Sequence, residues 1–220
     1  MAQAPRSSAS ASYSDDPIEN ISTWLQLNQK PILTGLGVVA LSAVAIVGYR
    51  YMDTQKRTQA QAELYKATAP MMEGKLPEAQ AALEKVATRF SGTGSGAQAA
   101  MLLAQVFYEQ QKYAEGIAEL EKAKGSAGAE FGTSMEALIA AGYESQGKYD
   151  QAAEHYGKAA AAARYPLDKA ANQAAQARSL TIAGKGSEAR PLWEALAKQE
   201  DLPFAGEAQV RLGELIGAGK

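Results

Sequence analysis

The amino-acid sequence predicts an all-α protein: a single transmembrane helix followed by an α-solenoid of about four helical hairpins plus a capping helix. Three observations carry that expectation. Nineteen consecutive residues, Pro31 to Tyr49, carry no charge. Similar stretches then return at intervals of 36 or 37 residues. Aromatic residues make up only 7% of the chain while alanine and glycine abound. Close-packed helices use such small residues, whereas sheets favour β-branched and aromatic ones.

Composition removes several functions. The 220-residue chain has 22 Lys and Arg against 24 Asp and Glu, a formal net charge of -2. Neutralising a nucleic-acid backbone needs a surplus of cations on one face, so no nucleic acid is expected as a partner. Without cysteine there is no disulfide framework, thiolate nucleophile, thiolate zinc site or iron–sulfur cluster. A single histidine excludes metal sites that need two imidazoles. No cofactor is expected, and no residue is assigned a catalytic or metal-binding role.

In chain order, residues 1–16 (MAQAPRSSASASYSDD) are small and polar and predict a tail that is flexible or bound by a partner. Residues 17–30 predict an amphipathic interfacial helix. Asp16 is placed to cap it, Pro17 suits its first position, and Ile18, Ile21, Trp24 and Leu25 recur at helical spacing. Trp24 would then sit among lipid headgroups; the same pattern would also serve a soluble helix docked on the main domain. Residues 31–52 predict the transmembrane helix. The uncharged run would be roughly 28 Å long at about 1.5 Å per residue, close to the hydrocarbon thickness of a bilayer. Tyr49, Arg50 and Tyr51 close it with an aromatic and basic collar. A cleaved signal peptide fits less well, because the run starts only at Pro31, is long, and is followed by no small-x-small cleavage site. A buried core helix fits less well because no other segment is comparably apolar. Small residues from Gly35 to Gly48 would admit a neighbouring helix, although the span has no Gly-x-x-x-Gly. The expected partners of this region are the lipid bilayer and an integral membrane protein complex.

Residues 53–220 predict the repeat domain. Its units align on their turns: EGKLPEAQAALEKVATRF (73–90), EQQKYAEGIAELEKAK (109–124), SQGKYDQAAEHYGKAA (145–160) and IAGKGSEARPLWEALAK (182–198). The turn residues Gly74, Gln111, Gly147 and Gly184 step by 37, 36 and 37. Five positions on stand Ala79, Gly116, Ala152 and Ala189, and four further on Leu83, Leu120, Tyr156 and Trp193. A small residue lets two antiparallel helices cross closely, and the large one a turn later fills the gap to the next unit. No such pair buries its apolar face alone, so the pairs must stack. The segment 52–67 has high helix propensity and no breaker, so the span could continue into the first repeat helix. Pro70 predicts a kink or interruption there. The last stretch, 204–217, places Phe204, Ala208, Leu212 and Leu215 on one face, as a capping helix would.

This pattern resembles the tetratricopeptide repeat family, best in Ala140, Tyr143, Gly147, Tyr149, Ala152, Tyr156 and Ala159. The second unit matches well; the first and fourth are degraded, with Gly186 where a tyrosine is expected. The resemblance implies protein partners gripped in a groove. The groove candidates are Met101, Gln105, Tyr108, Glu109 and Arg178, with Gln98, Ser134, Ala141 and Ile182 in matching positions. Some members grip a terminal carboxylate with several cations. Here only Arg178 is cationic, so the groove is expected to take an apolar helix or extended peptide instead.

Reactive motifs are hard to find. SGTGSG (91–96) lacks the preceding strand and following Gly-Lys-Ser/Thr of a phosphate loop and reads as a loose linker between repeats. GKGSEA (184–189) reads as a repeat turn. His155, with Glu154 or Glu119 as possible neighbours, reads as a solvated surface histidine because no nucleophile accompanies it. Glu119 and Glu121, interleaved with Lys122 and Lys124, read as solvating charge.

Taken whole, the order of parts resembles the ancillary Sec-translocon subunit family of bacterial inner membranes, most clearly in IENISTWLQLNQKPILTGLGVVALSAVAIVGYRY and in the second repeat. That resemblance implies a non-catalytic, single-pass membrane scaffold whose periplasmic repeats help pass exported chains to chaperones. The charges beside the span point the other way. Lys30 lies on the N-terminal side and Arg50, Lys56 and Arg57 on the C-terminal side, which by the positive-inside rule favours cytoplasmic repeats. Long domains can translocate despite such charges, and a periplasmic repeat domain is the expectation adopted. The alternative is a structural subunit of a large photosynthetic or respiratory membrane complex, in which span, tail and solenoid would staple neighbouring subunits.

Overall fold

Each hairpin of the repeat domain turns on one residue with left-handed backbone. Gly74, Gln111, Gly147 and Gly184 have φ of 72°, 61°, 71° and 78°. These are the four turn residues expected from the 36- to 37-residue spacing. After each comes a lysine whose N–H reaches back to the preceding helix: Lys75 to the Pro70 carbonyl, Lys112 to Phe107, Lys148 to Tyr143 and Lys185 to Leu180, at 2.8–2.9 Å. Together with the bond from the turn residue's own N–H, this makes a Schellman C-cap at all four ends. The same lysine then opens the next helix. Its carbonyl accepts the N–H of Ala79, Gly116, Ala152 or Ala189 at 2.9–3.2 Å. The small residue at each crossing is therefore tied to the turn.

The computed structural model describes residues 17–218; the tail expected over 1–16, with the Asp16 cap, lies outside the described residues. The chain falls into two units, residues 1–53 and 54–220. In the first, α1 spans Pro17–Leu27 and α2 begins at Gln29. Asn28 separates them, bonding the Trp24 carbonyl with both its N–H (3.0 Å) and its side-chain amide (2.8 Å). Pro31 has no N–H to offer the Leu27 carbonyl four residues back. Ile21, Trp24, Leu25 and Leu27 are exposed, as are the large apolar side chains from Leu33 to Val47.

The helix α2 runs Gln29–Met72 and contains Pro70 without ending there. Pro70 has no N–H for the Lys66 carbonyl, yet the helix continues two residues past it, so the expected interruption does not occur. In the second unit the part of α2 from Thr54 pairs with α3 (Leu76–Arg89). Then follow α4 (Gly94–Glu109) with α5 (Tyr113–Lys124), α6 (Gly132–Ser145) with α7 (Tyr149–Ala162), and α8 (Pro166–Ile182) with α9 (Gly186–Ala197). The single helix α10 (Ala205–Ala218) closes the order, and no strand occurs among the described residues.

Three buried clusters hold the hairpins. Ala60 and Ala67 of α2 pack with Ala79, Leu83, Val86 and Leu103. Ile117 and Leu120 pack with Met135 and Ile139. Ala174, Ala177, Ala189 and Trp193 pack with Ala208 of α10, flanked by Phe204, Leu212 and Leu215. Gly186 stands where a tyrosine is expected, and the Leu215 side chain of the cap helix lies beside it, 2.9 Å from where a Cβ would be.

The segment 91–96 is an ordered helix start, not the loose linker expected. Gly92 turns the chain with φ of 80°. The Thr93 side chain accepts the Gly96 N–H at 3.1 Å as an N-cap. A Cβ on Gly96 would collide with the Phe90 carbonyl.

Gln111 bears the cost of a left-handed backbone that the three glycines avoid. Gln111→Gly is expected to stabilise the domain by about 1 kcal/mol and Gly147→Ala to destabilise it by about the same. Urea unfolding of both variants checks this.

Candidate functional site

The first helices of successive hairpins, α4, α6 and α8, line a groove. Its α4–α6 section has a volume of about 500 Å³ and is lined by Gln98, Met101, Leu102, Gln105, Ser134 and Leu138. A further section of about 250 Å³ continues between α6 and α8, past Ser134 to Arg164, Tyr165 and Asn172. The spacing of the turns explains who lines it. Gln98 and Ser134 are 36 residues apart, as are Leu102 and Leu138, so the same helix phase recurs in consecutive units. The α4–α6 section is apolar, with amide and hydroxyl groups and no charged side chain. The α6–α8 section carries Glu130, Arg164 and Asp168 with an exposed Tyr165.

Of the predicted groove residues, Met101 and Gln105 line this surface with Gln98 and Ser134. Tyr108 does not. Its hydroxyl donates to the Leu138 carbonyl at 3.0 Å, and its ring fills the space left by Gly116 and Gly142, where any Cβ would collide with it. Burial holds its phenol above the usual range. Tyr108 thus joins the second hairpin to the third, and the two glycines are the signal that could have shown it. Glu109 ends α4, exposed and off the groove lining. Arg178 is engaged by α10: its Nε donates to Glu207 Oε1 at 2.6 Å and its Nη2 to Oε2. This forked pair raises the Arg178 pKa and lowers that of Glu207. Arg178 therefore anchors the cap helix, where the sequence pointed to a free groove cation. Leu102, Leu138, Arg164 and Tyr165 went unnoticed in the sequence; the first two were legible from their common phase, the others only from the α7–α8 connection. Trp24, Tyr49, Arg50 and Tyr51 are exposed on the first unit.

His155 is buried, not solvated. It is 8% exposed, stacks on Tyr143 with ring centroids 5.3 Å apart, and its Nδ1 lies 2.7 Å from Glu136 Oε2. Lys124 donates to the other Glu136 oxygen at 2.9 Å, so one of the lysines expected to be mere solvating charge instead ties α5 to α6. The neighbours expected for His155 are elsewhere: Glu154 pairs with Lys158 and Glu119 with Lys122. Burial pushes the Glu136 carboxyl up, but hydrogen bonds from His155 and Lys124 outweigh it and hold the pKa below the usual carboxylate range. No metal-holding cluster occurs among the described residues. The arrangement fastens α5, α6 and α7 together.

Comparison with known proteins agrees with this architecture. Residues 22–190 match the family described as tetratricopeptide repeat-like domain. The chain therefore belongs to that family. Among solved structures, it is similar to the nearly identical TPR-like repeats of a Podosopora anserina protein provisionally described as a kinesin light chain. The TM-score is 0.57 at 19% identity, covering 74% of this chain and 88% of that one. A point variant of the same repeats matches equally, with TM-score 0.57, 19% identity, and 74% and 87% coverage. At that identity the likeness concerns the fold alone. A comparison with curated proteins returns no match.

Glu136→Gln is expected to destabilise the domain by about 2 kcal/mol at neutral pH, because it removes the charged partner of buried His155 and one of the two carboxylates that hold Lys124, Glu121 being the other. A carboxyl with a lowered folded pKa stabilises fully above its unfolded pKa and loses that contribution as pH falls through the folded one. The gap between wild type and variant should therefore close towards acid pH. Urea unfolding at neutral pH and below the carboxylate range measures it.

Proposed function

We propose that the protein is a non-catalytic, single-pass scaffold of the bacterial inner membrane. Its repeat domain, on the periplasmic side, holds segments of other polypeptides and helps pass exported chains to periplasmic chaperones. The tetratricopeptide-like repeats support a role in protein–protein interaction, and the groove offers a peptide segment an uncharged, partly apolar surface between α4 and α6 and a charged one between α6 and α8. The observation that carries the membrane part is the apolar run itself. From Leu33 to Val47 its large side chains are 56–73% exposed, an arrangement whose natural solvent is lipid. The family match starts at residue 22 and so takes in this run. The order of span and repeats resembles the ancillary Sec-translocon subunits. Lys30 before the run and Arg50 after it can reach the two headgroup zones.

The full-length protein should stay with the membrane pellet after alkaline carbonate extraction; release into the supernatant overturns the anchor. The chain has no cysteine, so Ala114→Cys gives one thiol in the repeat domain. Labelling by a membrane-impermeant maleimide once the outer membrane is permeabilised, with the inner membrane intact, is the expected result, and protection until that membrane is broken places the repeats in the cytoplasm. A photocrosslinker at Gln105 should trap exported chains in transit, and Met101→Asp with Leu138→Asp should abolish the product. Failure to trap exported chains in active export overturns the hand-over role.

A further inference from the structure

The part of α2 in the second unit has two faces of opposite character. One, with Ala60, Leu64, Ala67 and Met71, packs into the first hairpin. The other, with Thr58, Ala62, Tyr65, Ala69 and Met72, is exposed along its length. Tyr65 is 80% and Met72 88% exposed. These five residues are spaced by four, three, four and three, the seam of two helices lying side by side at a shallow angle. None is charged. In the sequence the same alternation runs upstream through Gln55, Tyr51, Gly48 and Val44.

We propose that this face pairs with the same face of a second copy, α2 against α2 in parallel and in register, so that the protein works as a homodimer. The parallel sense rests on the membrane anchor proposed above, since two chains inserted the same way present α2 in the same direction. The flanking residues favour self-pairing. In register, Gln61 faces Lys66 of the second copy and Thr68 faces Glu73, so no like charges oppose each other. Lys66 is already neutralised by its own Glu63 at 3.0 Å. Tyr65 and Met72 provide the large side chains, and Ala62 and Ala69 the close approach between them.

Single cysteines test this in the full-length protein in its membrane. Thr58→Cys, Ala62→Cys, Tyr65→Cys and Ala69→Cys should each give a disulfide-linked dimer on mild oxidation, while Lys56→Cys and Glu63→Cys should not. Cross-linking at all positions alike, or at none, overturns the proposal. Ala62→Arg with Ala69→Arg should halve the protein mass measured by light scattering in mild detergent, with unchanged helix content by circular dichroism; an unchanged mass overturns it. Absent cross-links in a protein that resists carbonate extraction refute the dimer alone, whereas release by carbonate refutes the anchor.

Discussion

Everything in the repeat domain depends on how the chain reverses. A left-handed residue ends one helix, and the next residue both caps that helix and begins the following one. Because the lysine carbonyl then bonds the small residue at the crossing, the turn also fixes which side chain faces the partner helix. Side-chain caps are unnecessary: none of the four lysines makes one. An acidic residue in the first turn of each following helix, Glu78, Glu115, Asp150 or Glu188, meets the positive end of the helix dipole. The same local chemistry is used four times, which is why helices of modest individual stability stack into a continuous core.

The junctions between hairpins differ more than the turns. Between the second and third, Tyr108 is seated on two glycines, and Glu136 is shared by Lys124 and His155. Between the fourth hairpin and α10, the apolar cluster around Trp193 is joined at its edge by the Arg178–Glu207 fork. Directional polar contacts of this kind cost desolvation and add little net stability, but they are satisfied only when the right helices meet. In a domain of similar repeats they distinguish one stacking order from another.

Much of this was legible in the sequence because it is periodic. The turn residues, the small crossings at Ala79, Gly116, Ala152 and Ala189, and the capping helix all follow from spacing. The groove was half legible, since Gln98, Met101, Gln105 and Ser134 share a phase that spacing also reveals. What spacing cannot reveal is pairing between non-equivalent positions. Arg178 looks like a free cation until Glu207, 29 residues on, is brought against it, and His155 looks like a surface residue until Glu136 and Tyr143 enclose it. Segment 91–96 was misread for a related reason. Its glycines suggest looseness, while the Thr93 cap and the close approach at Gly96 depend on where Phe90 lies.

The chain's two tryptophans stand in opposite surroundings, Trp24 exposed on α1 and Trp193 sealed inside the fourth hairpin. Excited together, they emit as two separate reporters. Trp193, held in an apolar cluster, shifts its emission to the red when the fourth hairpin melts, and Trp24 reports on the surroundings of α1. The wild-type molecule thus carries an optical probe at each of these places without any dye.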